Sequence, residues 1–183
     1  MRQTATRRSE VGAFRVSSDY AERHPDADVS ATELAINVVY TAELLGRRLE
    51  QVLRPYRLTR GSHNVLQILG GATEPLTPGE VTARLTVTTA TVTGLLDTLE
   101  ARHLARRRPH PTDRRSVMVE ITDEGRRLLD ELVPELIVRE KEWSAPLPPA
   151  RREQLIRTLG VLQDHLRHLD DEPSPSTPAE SAG

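Results

Sequence analysis

The residues best able to do chemistry in this chain are arginines. Between Ala101 and Val119 stand Arg102, Arg106, Arg107, Arg108, Arg114 and Arg115 against a single acid, Asp113, a local balance of +5. The 183 residues sum to −2, so everything outside that stretch carries −7. A basic strip in an otherwise acidic protein is the electrostatic footprint of a polyanion partner. Arginine suits the task, because its guanidinium is planar, always charged and able to enter a narrow minor groove. Asp113, two residues before Arg115, is placed to pair with it and aim it. A GC-rich coding bias accounts for the general preference, since 24 of the 25 basic residues are Arg and only Lys141 is Lys. It does not account for the clustering.

A second pattern precedes the strip. Val92, Leu95, Leu96 and Leu99 recur at the spacing of one helix face. At about 100° per residue the opposite face presents Ala90, Gly94, Asp97 and Ala101, flanked by Thr91, Thr93 and Thr98. Threonine hydroxyls serve phosphates or base edges, and their methyl groups serve thymine. Glycine at position 94 costs roughly 1 kcal/mol against alanine, and it lets a helix backbone approach a groove closely.

Other chemistry is thinly represented. His165 and His168 share a helix face, a spacing compatible with two ligands of one ion. The chain has no Cys and no further His beside them, so they read as polar flanks of a packing surface; a metal-responsive regulator built on that pair is the alternative. His103 and His110 flank the basic strip as caps or phosphate contacts. Tyr40 and His63 are expected to line a cavity that a small molecule could enter. No GxSxG, HExxH, GxGxxG or P-loop is present, and acids and histidines do not recur at spacings that suggest a catalytic site. The chain reads as a non-enzyme without cofactor or metal. Lacking cysteine, it cannot be a disulfide scaffold, an iron–sulfur protein or a thiol switch. No apolar run is long enough to span a bilayer, and MRQTATRRSEVGAF lacks the apolar core of a signal peptide. A soluble, cytoplasmic protein is expected.

The elements that must position these residues are mostly helical. Ser30-Ala-Thr-Glu33 reads as a capping box opening a helix with Val38, Ala42, Leu45, Leu49, Val52 and Leu53 on one stripe, closed by Arg54-Pro55. A second helix runs from about Thr59 to Gly70-Gly71. Thr77-Pro78-Gly79-Glu80 is a second capping box, opening a short helix to about Leu85. Thr88 then caps the threonine-rich helix. From Ala105 the period changes to two, giving two strands around His110-Pro111-Thr112-Asp113, with Val117, Val119 and Ile121 alternating against Ser116, Met118 and Glu120. Thr122 caps a long helix that Pro134 should kink. A last helix from about Pro149 carries Leu155, Leu159, Leu162, Leu166 and Leu169, a narrow seam suited to a partner helix. A pure helical interaction module would explain that seam but not the basic hairpin.

This order is a winged helix-turn-helix between helical arms, mainly α with one β-hairpin. The segment TPGEVTARLTVTTATVTGLLDTLEARHLARRRPHPTDRRSVMVEITDEG resembles the MarR family of dimeric winged-helix transcriptional regulators, through TATVTGLLDTLE, PTDRRSVMVEIT and the following TDEG. The resemblance extends from about Ser30 to Asp170. It implies a homodimer on double-stranded DNA at a pseudo-palindromic operator, a repressor as the first expectation. Recognition helices would enter major grooves through Thr88, Thr89, Ala90, Thr91, Thr93 and Gly94. Wings carrying Arg106, Arg107, Arg108, Asp113, Arg114 and Arg115 would reach minor grooves, Arg115 matching the inserted arginine and Asp113 its salt-bridge partner. It also implies release by a small aromatic or phenolic effector. The sequence departs from the pattern at Thr86 and His103, which stand where glycines are usual, and at Pro148, which replaces a polar cap. His103 is therefore expected in the left-handed conformation. The boundaries drawn are an extension over 1–29, a dimerisation region over 30–54 and 122–170, a DNA-binding region over 55–121 and an acidic Pro/Ser tail over 171–183.

Overall fold

The computed structural model describes residues 7–8, 12–85, 87–112 and 116–171, the first two and last two of these in backbone only. The expectations for Thr86, for Asp113, Arg114 and Arg115, and for the tail from 172 onward fall outside the described residues. In chain order the elements are β1 (Arg7–Arg8), β2 (Phe14–Arg15), α1 (Ser18–Arg23), α2 (Val29–Leu53), α3 (Arg60–Gly71), α4 (Pro78–Thr82), α5 (Thr89–Ala101), β3 (Ala105–Pro109), β4 (Val117–Ile121), α6 (Asp123–Ser144) and α7 (Pro149–Asp171). Two compact units result, Met1–Glu135 and Leu136–Gly183, and their boundary falls inside α6, just past Pro134. The helix itself continues through that proline.

The start of α2 differs from the expectation. Its N-cap is Asp28, whose carboxylate accepts from the Ala31 N–H at 3.1 Å and from Ser30 Oγ at 2.7 Å. The Ser30–Glu33 capping box does not form, because the ionised carboxylate outcompetes a hydroxyl as acceptor and Glu33 is engaged elsewhere. The Glu33 carboxylate takes the Arg15 guanidinium and the Val16 N–H, the latter at 3.0 Å. One turn on, Asn37 accepts the Phe14 N–H and donates to the Phe14 carbonyl, both at 2.9 Å. Residues 14–16 are thereby held along α2, and the Phe14 ring stands edge-on to Tyr40 at 4.7 Å. The Arg15 hydrogen bond holds the Glu33 carboxyl below its ordinary range.

The remaining starts follow the sequence. Thr59 caps α3 and Thr77 with Glu80 forms the full reciprocal capping box of α4. Thr88 caps α5 and Thr122 Oγ1 accepts from the Gly125 N–H at 3.0 Å. The core of the first unit gathers Leu53, Val65, Leu66, Leu69, Val81, Val92, Leu96, Leu99, Val119 and Leu132, all essentially inaccessible. β3 and β4 pair antiparallel, Ala105 opposite Ile121 and Pro109 opposite Val117. Of the alternating residues on β4, Val119 and Ile121 are buried, while Val117 beside the turn is exposed. A third strand segment adds to the hairpin: Leu76 exchanges both backbone hydrogen bonds with Val119, at 2.9 and 2.6 Å.

Candidate nucleic-acid interface

The threonine-rich helix is anchored on one side and open on the other. Val92, Leu96 and Leu99 are buried beneath it, and Leu95 is half-buried. Thr88, Thr89, Ala90, Thr91, Thr93, Gly94, Asp97, Thr98 and Ala101 are all exposed. A Cβ built on Gly94 would meet nothing within 4 Å, so no packing within the chain requires glycine there. The hydroxyls are not equivalent. Thr93 and Thr98 donate to the carbonyls one turn back, Thr89 and Gly94, at 3.0 and 2.9 Å. Their oxygens are left as acceptors, which suits base amino groups rather than phosphates. Thr88 and Thr91 lie 2.9 Å apart and share one proton between them, which leaves the other hydroxyl proton to donate outward.

The end of α5 is turned sharply. His103 adopts φ 59°, the left-handed conformation expected of it, and Thr122 Oγ1 donates to its carbonyl at 2.6 Å. Arg102 reaches across to the turn after α2, donating to the carbonyls of Arg57 at 2.6 Å and Tyr56 at 3.0 Å. Arg57 is itself left-handed, with φ 54°. Tyr56 in turn donates to Glu135 Oε2 of α6 at 3.3 Å; burial first, and then this carboxylate, push the phenol above its ordinary range.

The hairpin arginines divide between two faces. Arg106 and Arg108 share Glu120 on the facing strand, at 2.6 and 3.3 Å, and both remain at least half exposed. Arg107 points the other way, to α5. One guanidinium nitrogen lies 2.7 Å from Asp97 Oδ1 and 2.7 Å from Glu100 Oε2, and its backbone N–H donates to Glu100 Oε1 at 3.1 Å. A wing arginine expected on DNA is thus turned onto two carboxylates of α5. Sequence reasoning missed this fork and the Arg102 reach, since neither follows from the period of a single element. Near the tip, His110 Nδ1 accepts the Thr112 N–H at 3.3 Å, the capping half of its two expected roles.

The expected cavity residues part company. His63 is buried, with Nε2 2.9 Å from the Gln67 side-chain nitrogen one turn on. Tyr40 lines an open groove of about 420 Å³ with Phe14, Ala35, Ile36, Val39 and Glu43. A second groove of about 360 Å³, bounded by Arg47, Glu50 and Arg60, shares Val39 and Glu43 with it. In α7 His165 is exposed and His168 Nδ1 lies 2.6 Å from its own helix carbonyl at Asp164. Among the described residues no group of three or more His, Asp or Glu stands together as a metal site, and no helix is long and apolar enough to cross a membrane.

Comparison with known proteins places these features in a family. The model described as "MarR family" matches residues 58–116, from the end of the α2–α3 turn to the foot of β4. The HTH-type transcriptional regulator PecS of Dickeya dadantii is 29% identical over 153 residues, covering 82% of this chain and 92% of that protein. The uncharacterized HTH-type transcriptional regulator YwaE of Bacillus subtilis is 30% identical over 142 residues, covering 76% of this chain and 81% of that one. Among solved structures, CouR of Rhodococcus jostii bound to p-coumaroyl-CoA superposes with a TM-score of 0.66 at 24% identity, over 74% of this chain and 95% of that one, a likeness of fold. PecS and YwaE are both named as HTH-type transcriptional regulators.

Proposed function

The chain belongs to the MarR family of DNA-binding transcriptional regulators, and from that premise we propose that two copies act together as a repressor on a pseudo-palindromic operator. The observation that carries this reading is α5. It is a helix capped at its start, buried along one side, and lined on the other with small side chains and hydroxyls next to an arginine-bearing hairpin. Its first two turns, Thr88 to Gly94, would read base edges in the major groove. Arg106 and Arg108, with Arg114 and Arg115 from the sequence between the two strands, would meet backbone phosphates and the minor groove. Asp113 would aim Arg115.

Pairing of two copies is supported by apolar surface that one chain leaves open. Leu34, Val39, Leu44 and Leu45 are exposed on α2. On α7 Leu155, Ile156, Val161, Leu166 and Leu169 are exposed, and Leu159 and Leu162 are half-buried. Large apolar side chains left exposed in such number mark an interface on a protein that works in water. The groove beside Phe14 and Tyr40 suits a flat aromatic ring, and the second groove, which shares Val39 and Glu43 with it, brings Arg47 and Arg60 for an acid group; the ligand named for CouR carries a phenolic acyl group. An effector bound there would act by favouring a spacing of the two recognition helices that the operator does not accept.

Selection of bound sequences from random duplex DNA tests the reading. A two-fold symmetric site should emerge, with half-sites about one helical turn apart and an affinity that falls steeply with salt. Recovery of no sequence, together with binding indifferent to salt, would refute it.

A further inference from the structure

Asp97 sits in the middle of the face that α5 turns outward. At about 100° per residue it falls between Ala90, Gly94 and Ala101 on that stripe, and its side chain is 60% exposed. A bare carboxylate there would face a duplex carrying one negative charge per ~1.7 Å of axis. Glu100, one turn on, adds a second. Both are gripped by the single guanidinium of Arg107, itself only 28% exposed, which comes from the first strand of the hairpin.

We propose that Arg107 is a positioning residue of the DNA-binding surface and not a phosphate ligand. It neutralises two acids on the recognition helix, and it fixes the wing to that helix so that Arg106 and Arg108 project from the opposite side of β3. Three features carry this. One guanidinium nitrogen holds two carboxylates, each at 2.7 Å, a distance typical of strong charge-assisted bonds. The Glu100 carboxylate holds the Arg107 backbone N–H as well as its side chain, so it fixes the strand and not just the charge. The strand alternation that sends Arg107 inward sends its two neighbours outward onto Glu120. With Asp97 and Glu100 both drawn onto it, the Arg107 charge is offset by two carboxylates before any phosphate approaches, and its side chain is only 28% exposed.

This rests on the DNA-binding reading above, and the test separates the two. Binding of a mixed-sequence duplex and of a selected operator is measured against salt for four proteins: the unaltered chain, Arg108→Gln, Arg107→Gln, and Asp97→Asn/Glu100→Gln/Arg107→Gln. The unaltered chain failing to bind either duplex at low salt would defeat the DNA-binding reading itself. Under the proposal Arg107→Gln weakens both duplexes about ten-fold or more, and the triple variant recovers most of that loss, since the unmasked acids are gone. Arg108→Gln lowers the salt slope by about 0.9, the value of one phosphate contact. A triple variant as weak as Arg107→Gln, with its slope also reduced by about 0.9, would make Arg107 a phosphate ligand and overturn the proposal. So would Arg107→Gln binding like the unaltered chain. If Arg107→Gln does not fold, the triple variant compared with the unaltered chain decides. The proposal expects binding within about a few-fold of the original with the salt slope unchanged, and a slope lowered by about 0.9 would overturn it.

Discussion

At Gly94 a residue can be separated from its effect on stability. A methyl group there meets no neighbour, and alanine is the better helix former by about 1 kcal/mol. Gly94→Ala should therefore raise the thermal midpoint by a few degrees while weakening operator binding, because the same methyl would stand between helix backbone and groove. A variant that is more stable and binds undiminished would remove this face from the interface. His103 presents the opposite economy: a non-glycine residue at φ 59° carries a backbone cost. The Thr122 hydroxyl on its carbonyl and the burial of Leu104 behind it hold the turn in place.

Among the elements, two junctions set where the interface points. The first turn of α6 lies so close to the base of the hairpin that a Cβ on Gly125 would collide with the Leu104 carbonyl oxygen. Gly125→Ala should cost about 1–3 kcal/mol, as overpacking does, measured by denaturant unfolding, and should loosen the wing at its base. The second junction is the segment 14–16 on α2. The folded state depresses the Glu33 carboxyl through its Arg15 partner, so docking contributes stability above the ordinary carboxylate range and loses it as pH falls through the lowered value. Protection of the Val16 amide from hydrogen exchange, taken relative to the unstructured chain at the same pH, should be high at neutral pH and fall in acid. Glu33→Gln should abolish that dependence, and protection equal at both pH values would show that Glu33 does not hold the segment.

At the scale of the whole molecule, the apolar seam of α7 bears most directly on the proposed self-association. No described side chain of α7 is buried within the chain, which is a poor arrangement for a helix whose stability should come from packing. Leu159→Glu with Leu162→Glu should lower the dimer affinity in sedimentation and the unfolding midpoint together, because fold and association are linked by mass action. A stable, folded monomer at micromolar concentration in the unaltered chain would end the dimer proposal. Arg102, which ties α5 to the turn after α2, and Tyr56, which ties that turn to α6, give a physical route by which a change in the long helices would be felt at the recognition helix.

What the sequence determined alone was whatever depends on neighbours in the chain. The caps at Thr59, Thr77, Thr88 and Thr122, the stop at Arg54-Pro55, the switch to period two at Ala105 and the left-handed turn at His103 all follow from local sterics and local hydrogen bonding, and they are where the residues put them. The candidate recognition face was legible for the same reason, since helix period alone sorts exposed threonines from buried leucines. What only the tertiary structure decided was competition between acceptors distant in sequence. Glu33 abandons its capping box because Arg15 and the Val16 N–H reach it first. Leu76 becomes a third strand because β4 has a free edge beside it. Arg107 turns from the solvent to Asp97 and Glu100 because folding of the hairpin against α5 brings two carboxylates within 2.7 Å of one guanidinium. A charge in a sequence has a sign and a spacing, but its partner is chosen by the packing of elements that the local pattern does not contain.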